Sequence, residues 1–154
     1  MQPYLAGSTL VDAAMALALR AHAGQINKHD GEPYILHPMR VFIGVRDGGL
    51  DEEHQATAWI HDTVEDTWVT SDFLLAEGFP MSVIHAVYAL TKRRGETNEQ
   101  YYARVKSDLI ARRVKIHDIN ENFGRCHMIT DTATRERMTK KYSMGLDILC
   151  RTQL

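Results

Sequence analysis

Cysteine is scarce in this chain: Cys126 and Cys150 are the only two in 154 residues. Two cysteines so far apart exclude a disulfide framework and a cysteine-rich zinc site, and make a reduced, cytoplasmic setting the expectation. Long apolar runs are missing as well, and no stretch approaches the length needed to span a bilayer. The nearest, Val11 to Leu19, leads into Ala21-His22-Ala23, which imitates a signal-peptidase site. No Lys or Arg precedes that run and Asp12 interrupts it, so a buried helix is expected there instead. Charge of one sign is also lacking. A formal net charge of −2 gives no general pull toward nucleic acid or an anionic membrane, and neither is expected as a partner. The basic pairs Arg93-Arg94 and Arg112-Arg113 are local and interrupted by acids, so any phosphate ligand must be held locally. There is no H-E-x-x-H helix, Walker loop or G-x-S-x-G elbow, which removes several common enzyme classes. The glycines are scattered, so a backbone cradle for phosphate is not expected.

What is present reads as a helical globular domain. Apolar residues make up 44 % and charged residues 25 %, a balance that supports a packed core over disorder. Alanine, leucine and methionine crowd residues 9 to 23, with Ser8 or Thr9 placed to cap a helix. Gly24 releases the chain into a polar loop, Gln25 to Pro33, with Asp30-Gly31 as its turn signal. His37-Pro38 begins the next helix, which Gly48-Gly49 ends. Asp51 caps a helix running to about Val64. Thr70 caps a short helix ending at Gly78, and Pro80 opens another that carries Val83, Ile84, Val87 and Leu90. Residues 91 to 100 form a charged loop. Further helices are expected around Tyr101 to Lys106, from about Asp108 to Asn122, and from Thr130 or Asp131 onward. No alternating strand pattern, internal repeat or dividing linker is evident. The expectation is an all-α fold, one domain over residues 1–154 with roughly seven helices.

Chemistry concentrates in His61-Asp62-Thr63-Val64-Glu65-Asp66. On a continuous helix His61 shares a face with Glu65 and Asp62 with Asp66. An imidazole and three carboxylates packed together are costly unless a cation neutralises them or water reaches them. A divalent metal answers that cost; a solvated acidic helix end answers it too. Of the three His-Asp pairs, His29-Asp30 lies in the polar loop and is expected to serve the turn. His117-Asp118 sits in an amphipathic helix, where one of the two can face inward. His37, among Tyr34, Ile35, Leu36 and Pro38, reads either as a hydrogen-bonded core histidine or as a ligand. The histidines at 22, 54, 85 and 127 show no ligand spacing.

Five segments occur in a telling order: Ala21-His22-Ala23-Gly24-Gln25; Gly31-Glu32-Pro33-Tyr34-Ile35-Leu36-His37-Pro38; His61-Asp62-Thr63-Val64-Glu65-Asp66-Thr67; Leu90-Thr91-Lys92; and Val114-Lys115-Ile116-His117-Asp118. Together, over about residues 10 to 125, they resemble the HD-domain hydrolases of the RelA/SpoT type, especially the small stand-alone alarmone hydrolases. The resemblance implies that His37, His61, Asp62 and Asp118 hold one divalent ion. Manganese is usual in that family, and Fe²⁺, Co²⁺ or Zn²⁺ are alternatives. Two imidazoles with two carboxylates suit a borderline-to-hard metal. It further implies that Glu65 and Asp66 orient and deprotonate the attacking water, and that Lys28, Lys92 and Asn122 contact a nucleotide.

The implied reaction removes the 3′-pyrophosphate of ppGpp or pppGpp. Without room for a synthetase domain, the chain is expected to hydrolyse and not to synthesise. Three departures from the family pattern bear on the substrate more than on the metal site. Lys28 stands where arginine is usual, and lacks its planar fork. Ile119-Asn120-Glu121-Asn122 replaces the typical Arg-Leu-His-Asn, and His117 replaces a small residue. Rival readings are a phosphatase for another nucleotide (NADPH 2′-phosphate or a nucleoside 5′-monophosphate) and a catalytically silent alarmone-binding module. Retention of Glu65 and Asp66 speaks against the silent module.

Overall fold

A computed structural model describes residues 5–152; the outermost residues of the expected 1–154 domain lie outside that range. Among the described residues the chain is all-helical, apart from an isolated bridge between Ile26 and Pro33. The helices are α1 Leu10–Ala21, α2 Leu36–Asp47, α3 Glu52–Ile60, α4 Thr63–Asp66, α5 Ser71–Ala76, α6 Met81–Leu90, α7 Asn98–Lys106, α8 Leu109–Arg125 and α9 Thr132–Cys150, with a 3₁₀ turn at Cys126–Met128. Nine segments exceed the roughly seven expected. Part of the excess is a break in the helix expected from Asp51 to Val64.

Local chemistry accounts for most boundaries. Thr9, Asp51, Thr70, Asp108 and Asp131 each accept from a backbone N–H three residues on, satisfying donors that a helix start leaves free. Thr97 and Gln100 form a reciprocal capping box, which starts α7 at Asn98, three residues earlier than expected. Pro38 lies in the first turn of α2, where a missing N–H leaves nothing unpaired. Beyond α2, Gly49 takes φ +76°, a left-handed turn that suits glycine.

The break after Ile60 has a side-chain cause. His61 Nδ1 donates to the Ala58 carbonyl at 2.7 Å, and the Thr63 hydroxyl donates to the Ile60 carbonyl at 2.8 Å. Side chains thus serve acceptors at the end of α3, and the helix restarts at Thr63. Asp62 sits in the corner between α3 and α4.

α3 is the central strut, packed against α1, α2, α6 and α8. On one side of it lie Leu17, Ile60, Leu74 and Val83, all buried. On the other lie Val41, Val45, Tyr102, Val114, Ile119 and Leu149. Placing α3 between α2 and α8 is what brings residues from three helices to one point. α9 closes the second side by riding close over α7 and α8 at Gly145. A Cβ there would fall 2.6 Å from Tyr102 Cζ and 2.8 Å from Ile119 Cδ1. Gly145→Ala is therefore expected to lower stability despite better helix propensity, which returns at most ~1 kcal/mol. Overpacking costs about 1–3 kcal/mol. Urea unfolding would read the net loss, and unchanged or raised stability would mean α9 is free to shift outward.

Candidate active site

Four side chains from three helices and one corner meet in the interior. His37 comes from α2, His61 from the end of α3, Asp62 from the corner, and Asp118 from the middle of α8. His37 Nε2 is 2.9 Å from Asp118 Oδ1 and 3.7 Å from Asp62 Oδ2. His61 Nε2 is 3.0 Å from Asp62 Oδ2 and 3.6 Å from Asp118 Oδ1. His37, His61 and Asp118 are buried, and their nearest ligand atoms all lie within 4.8 Å of one another. The sequence pattern left His37 open between core residue and ligand; the structure sets it against both carboxylates.

Three further groups hold this constellation in place, and none was singled out from sequence. The Tyr34 hydroxyl donates to Asp62 Oδ2 at 2.5 Å. Lys115 Nζ donates to Asp118 Oδ2 at 2.6 Å while lying over the Tyr101 ring. His22 is buried against Tyr34, with its Nδ1 paired to Gln25 Oε1, and Gln25 donates in turn to the Asp66 carbonyl. Lys115 carried a usable signal, being three residues before Asp118 on an expected helix. Tyr34 stands three residues before His37. Asn122, which was singled out, donates to Asp118 Oδ1 at 2.9 Å.

Burial by itself would push both aspartates up. At Asp118 the Lys115 ammonium and the two histidines outweigh it, holding the carboxyl well below its usual range. At Asp62 the charge of His61, whose Nε2 is 3.0 Å away, does the same. His61 shows the mirror image: burial opposes its charged form, but Asp62 and Asp118 raise it well above the ordinary histidine value. Tyr34 is pushed up by burial and then by the Asp62 charge, so its hydroxyl stays a donor.

Glu65 and Asp66 project from α4 at the rim. Asp62, Glu65 and Asp66 each present an oxygen within 4.8 Å of the other two. Both rim carboxyls are raised, by partial desolvation first and then by the charge of Asp62. The Lys92 backbone amide faces Glu65 and favours its charged form. The Lys92 ammonium itself donates to Asn98 Oδ1 at 2.7 Å.

Beside His37 a pocket opens, lined among others by Asn27, His29, Tyr34, Asn122 and Tyr142. Lys28 is exposed between two lining residues without lining the pocket itself. Asp30 serves its turn by accepting from Glu32 N, and Arg125 of α8 clamps the loop through Asp30 and Glu32. His117 points away from the site, packing on Gly44 of α2 and on Gly48 just beyond its end.

The chemistry of this donor set fits a divalent cation. His61 Nδ1 must donate, because its partner is a carbonyl, so a neutral ring carries its lone pair on Nε2. That atom is buried with no hydrogen-bond partner among the described residues, although Asp62 Oδ2 lies 3.0 Å away. A lone pair facing two carboxylates is repelled unless a proton or a cation stands among them.

A family model described as the HD domain matches residues 14–114. The chain belongs to the HD domain family. The match contains His37, His61 and Asp62, with Asp118 just beyond it. Among relatives, this HD domain is 37 % identical over 83 residues to a GTP pyrophosphokinase of Myxococcus xanthus, covering 54 % of the chain and 11 % of that protein. It is 35 % identical over 82 residues to a guanosine-3′,5′-bis(diphosphate) 3′-pyrophosphohydrolase of Aquifex aeolicus, covering 53 % and 12 %. A Haemophilus influenzae protein of the same name is 40 % identical over 76 residues, covering 49 % and 11 %. The chain thus spans about a tenth of the length of these relatives. Among solved structures, a metazoan orthologue of SpoT that hydrolyses ppGpp superposes with a TM-score of 0.80 at 20 % identity, over 95 % of this chain and 88 % of that one. At that identity the likeness speaks for the fold.

Proposed function

We propose that the chain is a metal-dependent hydrolase that removes the 3′-pyrophosphate of ppGpp or pppGpp, giving GDP or GTP and pyrophosphate. The observation that carries this reading is the convergence of His37, His61, Asp62 and Asp118 around the unpartnered His61 Nε2, with Glu65 and Asp66 at its rim. His37, His61, Asp62 and Asp118 hold the ion, and manganese suits their mixture of imidazole and carboxylate. Such an ion supplies Lewis acidity and neutralises phosphoryl charge.

The remaining work falls to the chain. Glu65 and Asp66 orient a water molecule and take its proton; their raised carboxyls make them stronger bases than ordinary acidic residues. The water oxygen attacks the phosphorus joined to ribose O3′, that P–O bond breaks, and O3′ leaves with a proton as the free hydroxyl. Phosphoryl transfer asks mainly for positioning and charge neutralisation. Tyr34 and Lys115 do the positioning by fixing Asp62 and Asp118. Asn122 contacts the nucleotide from the pocket wall, and Lys28 and Lys92 meet its phosphates from flanking loops.

The reading takes residues 1–154 as one HD-type unit in the cytoplasm. No helix among the described residues is long and apolar enough to cross a membrane, and Cys126 and Cys150 are free thiols. A manganese-supplemented screen of ppGpp, NADPH and nucleoside 5′-monophosphates tests the substrate. Release of pyrophosphate from ppGpp, with the others spared, is the expected result. Intact ppGpp beside cleaved NADPH or monophosphate would replace the alarmone with that nucleotide.

A further inference from the structure

α9 supplies a cation that the sequence pattern did not mark. Met138 and Tyr142 of α9 line the pocket together with His37 and Asn122. Lys141 lies one helical turn from Met138, on the neighbouring strip of the same face. Its ammonium stands 5.8 Å from the centre of the Tyr142 ring and has no hydrogen bond or ion pair among the described residues. The side chain is half-buried, within electrostatic reach of Asp118 and Glu65 on one hand and of Lys115 and Lys92 on the other.

The three lysines differ in what they already hold. Lys115 is committed to Asp118, and Lys92 to Asn98. Lys141 alone of the three is without a polar partner. Burial first, and then the Lys115 and Lys92 charges, push its ammonium below the usual lysine range. A partly desolvated cation beside two others is relieved by an anion. The inner carboxylates do not meet that need, because Lys115, His37 and His61 already surround them.

We propose that Lys141 is a phosphate-binding residue, whose ammonium takes the diphosphate group of the ligand as its counter-ion at the α9 edge of the site. The assignment rests on the phosphohydrolase reading above, and adds α9 to the elements that hold substrate. The ligand class is a diphosphate, free or esterified, because its two joined phosphoryl groups carry charge for the centre of the site and for a cation beside the pocket-lining Tyr142 at once.

Isothermal titration of manganese-loaded protein with inorganic pyrophosphate tests this without turnover. The variants are Lys141→Met, Lys141→Gln, Lys141→Arg and, as a control, Lys140→Met at an exposed neighbour, with melting curves establishing that each is folded. Loss of one charge-assisted phosphate contact should weaken pyrophosphate by about 10-fold or more in Lys141→Met and Lys141→Gln. Lys141→Arg should stay within about 3-fold of wild type, because the charge is kept. Wild-type affinity in both charge-free variants would overturn the proposal. So would an equal loss in Lys140→Met, which would reduce the effect to net charge, or failure of the wild type to bind pyrophosphate at all. If the Lys141 losses stand while ppGpp is left uncleaved, the diphosphate contact is upheld and only the alarmone reading falls.

Discussion

Asp118→Ala is expected to abolish activity, and also to cost the metal-free protein about 3–5 kcal/mol, the scale for stranding one partner of a buried ion pair. The reason is what Asp118 leaves behind. Its side chain is only 4 % exposed and answers Lys115, His37, His61 and Asn122 at once. Without it, the Lys115 ammonium loses its hydrogen-bonded counter-ion while still lying over the Tyr101 ring, and two imidazoles lose a neighbouring carboxylate. Urea unfolding in a chelator reads the stability, and the midpoint should fall with little change in slope. Asp118→Asn provides the contrast: it keeps the size and some hydrogen bonds but not the charge, so it should unfold later than Asp118→Ala and still be inactive. If Asp118→Ala were as stable as wild type, Lys115 would have a counter-ion other than Asp118.

The second large effect falls on chemistry alone. Glu65→Gln and Asp66→Asn keep side-chain size and hydrogen-bonding reach while removing the charge that accepts a proton. Both carboxyls lie at the rim and neither forms an ion pair among the described residues, so folding and metal content should be unchanged. Turnover of ppGpp should fall by roughly 10²-fold or more, the usual scale for losing general-base assistance, with KM moving much less. Near-normal turnover in both variants would mean that α4 presents only a solvated acidic end.

Much of the site was legible because its residues lie in short, ordered segments. His61-Asp62 follows an apolar helix and leads into two more acids, and the family resemblance drew His37 and Asp118 to it. The all-helical class followed from caps and apolar spacing, and Thr9, Asp51, Thr70 and Pro80 all start helices as expected. What escaped depends on tertiary contacts or on side chains competing with the backbone. The break at Asp62 arises because His61 and Thr63 serve the carbonyls of Ala58 and Ile60, which hydrophobic periodicity does not register. That break matters, since it turns the expected pairing of His61 with Glu65 on one helix into a corner, with Asp62 inside and Glu65 and Asp66 at the rim. Lys141 could not be placed from sequence, because the face α9 presents is set by Gly145 meeting Tyr102 and Ile119. The inward or outward choice at His117-Asp118 is settled by α2 and its C-terminal cap, where Gly44 and Gly48 make room for the His117 ring.

The most direct measurement is elemental analysis of protein equilibrated with manganese and freed of excess, comparing wild type with Asp62→Ala. Asp62 is the right ligand to remove, because it is the least buried of the four and Lys115 does not depend on it for a hydrogen bond. The expected result is one ion per chain in the wild type and almost none in the variant, with activity lost in parallel. Full occupancy in folded Asp62→Ala, or a wild type that binds no divalent metal, would contradict the metal centre on which every step above depends.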